Sequence, residues 1–428
     1  MDDLFEAMYV PPALREAVSA RAWVQAMLDF EAALAEAFAP PEAASEIASA
    51  CRAGDFDADS LAEAARSTGN PAAPLVKRLT EAVGDEAAGW VHAGATSQDV
   101  LDTASMLVSR RALKVVDAEL AAVAAACAAL AEEHRDTPMA GRTLLQQALP
   151  TTFGLKAAGW LSGVLAARRR LKEIPLAVQL GGGVGTLASL GADGPRVVAD
   201  VAARLDLAQP DLPWHADRGR VGELGAALAL AAGALEKVAL DLKLLAQTEV
   251  GEVAEAAGRG GSSTLPQKRN PVGAAMAIAC ARRVRGEASV LLAALPEEHE
   301  RGAGGWHSEW QALRGALAGT GGAAWALHET LDGLEVHPER MRENLDAHGG
   351  LIMSEAVTTA LAPRLGRHRA HELVGRAAGS EAGLRDAVLA EDTGLSADDL
   401  DAALDPLSYL GSAGTFVDRA LRRWKEEP

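Results

Sequence analysis

Apolar residues recur along this chain at steps of three and four, as in Val24, Met27, Leu28, Ala32, Leu34 and Ala35, the spacing that lines one face of an α-helix. No convincing run of alternating apolar and polar positions argues for a strand, so the pattern predicts an all-α protein. The longest predicted helices cover residues 98–133, 149–172, 221–257 and 272–295. Each is long for an ordinary globular helix and suits an extended bundle. Their middles are rich in Ala and poor in charge, so they are apolar on more than one face and predict an oligomeric core. Shifts in pattern divide the chain into a small helical part at residues 1–93, a long-helix part at 94–340 and a short-helix part at 341–428.

Composition narrows the possibilities. A chain of 428 residues has room for two to four domains, and 49% hydrophobic with 23% charged residues excludes a disordered polymer. The net charge of −18 with no basic stripe predicts no nucleic-acid partner. Cys51, Cys127 and Cys280 are odd in number, widely spaced and without a C-x-x-C, which predicts a reducing compartment, the cytoplasm by default, and no zinc site. The longest uncharged apolar runs, 120–131 and 224–235, are too short to cross a bilayer, so no membrane association is expected. His368 and His371 share a helical face but lack a third ligand, and no metal is predicted. Gly181 to Gly185 lacks the Lys-Ser/Thr of a phosphate loop and reads as a sharp connection between helices.

The densest chemistry lies in 258–272, Gly-Arg-Gly-Gly-Ser-Ser-Thr-Leu-Pro-Gln-Lys-Arg-Asn-Pro-Val. Glycines let a backbone approach a ligand, and Lys268 and Asn270 near a helix start suit a carboxylate. By composition alone the segment could equally be a solvated connection punctuated by Pro266 and Pro271. Gly261 through Pro271, however, resemble the signature loop of the fumarase/aspartase superfamily, Gly-Ser-Ser-x-Met-Pro-x-Lys-x-Asn-Pro, with Leu265 where Met is usual. Two further segments match in the same order: His92 to Thr103 resembles the Thr-Ser-x-Asp segment, and Gly141 to Ala148 resembles Gly-Arg-Thr-His-x-Gln.

The resemblance implies an all-α, three-domain subunit in a homotetramer whose active sites are each built from three chains, acting on a small polycarboxylate. It implies that a loop serine removes a proton beside a carboxylate, with Ser262 as the base and Ser263 as the next choice. Lys268 and Asn270 would grip the carboxylate, and Thr96, Ser97, Arg142, Thr143, Gln146 and Gln247 would line the pocket. His92 would bond a loop backbone close by, while His215 and Arg218 would meet a substrate carboxylate. Set against these roles, Thr96, Ser97 and Asp99 also read as a helix N-cap cluster, and His215 as a helix-start residue beside surface arginines. No cofactor is expected, because proton transfer at an activated carbon needs no electron sink.

Many members place a His after Gly-Arg-Thr and pair it with a Glu beyond the loop Asn; here those positions are Leu144 and Ala275. A site without that acid suits a leaving group stable as an anion, such as carboxylate or nitrite. The branch most resembled is the 3-carboxy-cis,cis-muconate cycloisomerases, through 27–34, 91–99, 146–156, 182–191 and 245–252, although Leu144 stands where that branch usually has Trp. The alternatives are a nitrosuccinate-type lyase, then an adenylosuccinate or argininosuccinate lyase, then a non-catalytic structural homologue.

Overall fold

The computed structural model describes residues 4–427. Helix α1 (Ala20–Phe38) starts where the Ser19 hydroxyl accepts the Ala22 N–H, and it buries Val24, Met27, Leu28, Phe30 and Leu34 against the helices Pro41–Ala50 and Gly194–Leu205. Helix α2 (Ser97–Glu133) follows, and every residue from Gln98 to Ser109 is buried, as a helix apolar on several faces requires.

The chain next departs from the all-helical expectation. Residues 138–152 form an antiparallel hairpin, β1 (Pro138–Thr143) and β2 (Gln146–Thr152), with Thr143 opposite Gln146 and Leu144–Leu145 as a two-residue turn. The predicted helix from 149 therefore starts later, as α3 (Phe153–Lys172). Helix α4 (Gly219–Leu245) stops twelve residues short of the predicted 257. There Gly251, at φ +62°, turns the chain so that the Glu252 N–H reaches back to the Leu245 carbonyl. The remainder supplies β3 (Val253–Ala254), which pairs with β4 (Glu335–Val336).

Helix α5 (Val272–Ala293) matches its prediction closely, whereas α6 (Gly305–Asp332) was not among the predicted long helices. Four glycines in its middle hide its helical signal, and two of them seat neighbours: a Cβ on Gly321 would lie 2.2 Å from Leu14, and one on Gly322 2.3 Å from the Tyr9 carbonyl.

The chain forms two compact units whose boundaries fall inside the long helices: Met1–Leu120, Ala167–Glu236 and Met276–Trp325 make one, and Ala121–Ala166, Lys237–Ala275 and Ala326–Pro428 the other. The second holds a local core of Val357, Leu361, Leu373, Val374, Val388 and Leu400.

Candidate active site

In the first unit, chemistry gathers where α2 begins. Asp99 is fully buried and uses both carboxylate oxygens. Oδ1 accepts the Gly181 N–H at 2.9 Å and lies 2.7 Å from His215 Nε2; Oδ2 accepts the N–H groups of Gly182 at 2.9 Å and Thr96 at 3.0 Å. The bond to Thr96 is one half of a capping box, so the N-cap reading of Thr96 and Asp99 holds, while the same carboxylate also fixes the glycine run. The Thr96 hydroxyl accepts from Arg301 Nη1 at 2.9 Å, and Arg301 Nη2 donates to the Gly183 carbonyl at 2.7 Å. Ser97 beside it is half-buried.

His92 is anchored from α1. Its N–H donates to Glu31 Oε2 at 3.1 Å, and its Nδ1 lies 2.7 Å from Glu31 Oε1. Burial lowers the imidazole pKa, but the hydrogen bond and charge of Glu31, with the charge of Asp99, outweigh it and leave the group above its ordinary value. In place of the loop backbone expected as its partner, His92 meets a buried carboxylate through its N–H and Nδ1.

Two residues expected at a substrate carboxylate are buried and bonded within the chain. Arg218 is 1% exposed and is not a surface residue. Its Nε donates to Glu309 at 2.9 Å, Nη1 and Nη2 to Asp102 at 2.8 and 2.9 Å, and Nη2 again to Glu309 at 2.5 Å, with Trp214 stacked 4.9 Å from its Cζ. Every polar group of the guanidinium is engaged, so Arg218 binds two carboxylates of its own fold. His215 is buried likewise, its Nε2 turned to Asp99.

In the second unit, the 258–272 segment is a loop with a pinched neck. The Asn270 N–H and Nδ2 both donate to the Gly260 carbonyl, at 2.9 and 2.8 Å. Gly260 has φ +65°, and a Cβ there would lie 2.0 Å from the Asn270 carbonyl oxygen, so only glycine fits. Asn270, expected at the substrate, thus closes the loop on itself. Arg259 donates to the Glu329 carbonyl at 2.9 Å and carboxylate at 3.1 Å, and Arg269 forks onto Glu335 at 2.7 and 2.8 Å. Glu255 caps α5 by accepting the Gly273 and Ala274 N–H groups at 3.1 and 3.0 Å. Within the loop, Ser262 Oγ accepts the N–H of Leu265 at 3.2 Å and of Thr264 at 3.3 Å, while Ser263 and Lys268 are exposed.

The hairpin brings Arg142, Thr143 and Gln146 together. Arg142 forks onto the buried Glu252 at 2.9 and 2.6 Å, and Asn344 Nδ2 donates to the same carboxylate at 2.8 Å. Thr143 and Gln146 are exposed beside Leu144, and Gln247 is exposed in the turn after α4. A surface cavity of about 680 Å³ elsewhere in this unit, lined by residues including Ser354, Thr358, Arg367, His371 and Val374, contains none of the predicted site residues. Sequence reasoning missed Glu31, Glu252, Arg301 and Glu309. Glu31 and Glu252 sit inside the segments 27–34 and 245–252 that carried the resemblance, whereas nothing local marks Arg301 or Glu309.

A family model described as "Lyase" matches residues 9–286, and one described as "Adenylosuccinate lyase C-terminus" matches 350–420. The chain is 47% identical to a 3-carboxy-cis,cis-muconate cycloisomerase of Pseudomonas aeruginosa, over 98% of this chain and 96% of that protein. It is also 47% identical to a nitrosuccinate lyase of Streptomyces davaonensis, over 95% and 91%. The crystal structure of 3-carboxy-cis,cis-muconate lactonizing enzyme from Pseudomonas putida matches with a TM-score of 0.93 and 43% identity, covering 99% of each chain. With the signature loop, the Thr96–Asp99 segment and the hairpin arginine all in their places along one helical chain, the protein belongs to the lyase family of the fumarase/aspartase superfamily.

Proposed function

We propose that this enzyme interconverts 3-carboxy-cis,cis-muconate and its lactone. The observation that carries the reading is the Ser262 hydroxyl seated on two backbone N–H groups while the position after Gly-Arg-Thr at the hairpin end holds the aliphatic Leu144 and no acid. In the lactone-forming direction a substrate carboxylate oxygen adds to the double bond and makes the C–O bond. The π electrons move onto the carbon beside another carboxylate, and that carbon takes the proton of Ser262 Oγ. In reverse, the Ser262 alkoxide removes that proton and the C–O bond breaks, releasing carboxylate. The N–H groups of Thr264 and Leu265 stabilise the alkoxide, and Lys268 offsets charge on the doubly ionised intermediate. Carboxylate departs as a stable anion, so Leu144 and Ala275 leave no step without its proton.

The exposed Ser263, Lys268, Thr143, Gln146 and Gln247 complete the pocket with Thr96, Ser97 and His92, in a homotetramer whose sites are shared between subunits. Exposed Leu230, Leu244, Val290 and Leu292 on the long helices support such an assembly. The three-part division at 93 and 340 and a cytoplasmic location belong to the same reading. The identity to a nitrosuccinate lyase favours one second reading, expulsion of nitrite from nitrosuccinate by the same serine.

The test is loss of diene absorbance on adding 3-carboxy-cis,cis-muconate, run beside nitrite release from nitrosuccinate. Turnover of the muconate is expected; turnover of nitrosuccinate alone would move the assignment to the second reading. Ser262→Ala should lower the rate by about 10² to 10⁴ with the fold intact. A loss below tenfold at both Ser262 and Ser263 would remove the serine mechanism.

A further inference from the structure

Resting on that reading, we propose that Glu31 is a positioning residue that orients His92 so that its Nε2–H presents positive charge to a carboxylate of the substrate. Glu31 is 1% exposed, on a helix face otherwise filled by Met27, Leu28, Phe30 and Leu34. Burying a carboxylate is costly unless it is fully bonded, and both oxygens of this one go to a single residue distant in sequence. Among the described residues Glu31 has no other hydrogen-bond partner. Its one structural product among the described residues is the placement of His92.

His92 itself stands at φ +59°, a left-handed conformation that costs an ordinary side chain energy and that glycine or asparagine would adopt more easily. A chain needing only a turn here would not need an imidazole. With Nδ1 held by Glu31, Nε2 is the nitrogen left over, and the side chain keeps 21% of its surface exposed. The charged groups facing the ring are Glu31 from α1 and Asp99 from α2, both negative, with Asp99 already engaged by His215, Thr96, Gly181 and Gly182. Two carboxylates around one imidazole favour the imidazolium, in agreement with its raised pKa. The ring also opens the segment that carries Thr96 and Ser97, so a cationic donor and two hydroxyls share one short stretch of chain. That combination fits an anionic carboxylate better than any neutral ligand.

The sign of the pH effect follows. A raised imidazole pKa means the cation is present below that pKa and lost as pH rises through it. The wild-type enzyme should keep a low KM to higher pH than an ordinary imidazole would allow and lose it as the ring deprotonates. Glu31→Gln preserves shape and removes the charge, leaving burial to push the imidazole down. At a pH where the wild-type His92 resonance still reports the cation, the variant's KM for 3-carboxy-cis,cis-muconate should rise about ten- to a hundredfold, with kcat changed far less. The alkaline limb of 1/KM should move to lower pH. In ¹³Cε1-histidine NMR, the resonance lost in His92→Gln should titrate above pH 6.5 in the wild type and below it in Glu31→Gln. Glu31→Asp, which keeps the charge, should recover most of both effects.

An unmoved His92 titration in Glu31→Gln would overturn the proposal, and so would a moved titration with an unchanged KM. Absence of muconate turnover in the wild type would instead strike the proposed activity. In that case tricarballylate serves as the probe. It should shift the wild-type His92 resonance and leave that of Glu31→Gln in place, and equal shifts in both would refute the role of Glu31.

Discussion

Two consecutive leucines form the turn of the hairpin that carries Arg142, Thr143 and Gln146. Leu144 has φ +51° and Leu145 φ +67°, and their exposures are 97% and 77%. A two-residue turn with both φ values positive is the type I′ geometry that Asn-Gly satisfies with least strain. The left-handed region costs an ordinary L-residue about 1–2 kcal/mol, so the pair stores about 2–4 kcal/mol that no burial offsets. The double substitution Leu144→Asn with Leu145→Gly should release most of this, less about 0.5–1 kcal/mol for the freedom glycine gains in the unfolded chain. A net gain of about 1–2 kcal/mol would slow hydrogen exchange in residues 138–152 by roughly five- to thirtyfold. For a chain of this length it would raise the unfolding midpoint by only about 1–2 °C, so the local measurement is the sensitive one. Turnover should fall at the same time, because Leu144 is proposed to shape the pocket. Unchanged or faster exchange in the hairpin would refute the strain argument, and slower exchange with full activity would remove Leu144 from the site.

Burial pushes Glu309 up to about 7 although Arg218 pulls it down, so the folded chain holds a proton there that the unfolded chain releases above about pH 4.5. Stability should therefore fall as pH rises between those values, and Glu309→Gln should flatten the slope of denaturation midpoint against pH; equal slopes would exclude Glu309 as its source. Arg142→Ala leaves the buried Glu252 carboxylate with only Asn344 and should cost about 3–5 kcal/mol, much of it recovered by adding Glu252→Gln; full stability of the single variant in urea would show that the pair holds nothing in place. Light scattering should give a particle near four times 44.3 kDa, and a stable, active monomer would refute the shared-site assembly.

The sequence made α2 and α5 legible because Ala and apolar residues repeat through them without a break. It concealed the hairpin because Leu-Leu carries none of the Asn-Gly chemistry that announces a tight turn. It concealed α6 because Gly315, Gly319, Gly321 and Gly322 weaken a helical signal in exchange for close packing. The end of α4 was invisible because residues 246–257 keep helix-compatible composition until Gly251 acts. The loop serines and Lys268 could be read because the motif is contiguous. The pairings could not: Glu31 and His92 are 61 residues apart, Arg142 and Glu252 are 110, and Arg218 and Asp102 are 116. A charged residue read alone gives no sign of the partner that holds it, and only that partner shows which of its groups are already engaged.

That distinction sorts the cations of this chain by what they can still bind. Arg142, Arg218, Arg259 and Arg269 each meet a carboxylate of the protein, three of them through two guanidinium nitrogens, a geometry the planar fork favours and a lysine could not reproduce. Lys268 is different: among the described residues no carboxylate lies within salt-bridge reach of its ammonium, and the loop that carries it is pinned at both ends by Arg259 and Arg269. Arginine–carboxylate pairs thus hold the hairpin beside its turn, next to Thr143 and Gln146, and the two ends of the loop that carries Ser262 and Lys268. Precision in such a site comes from the supports more than from the loop itself. A weakened support should therefore lower kcat through misplacement of Ser262, even though no atom of the support touches the substrate.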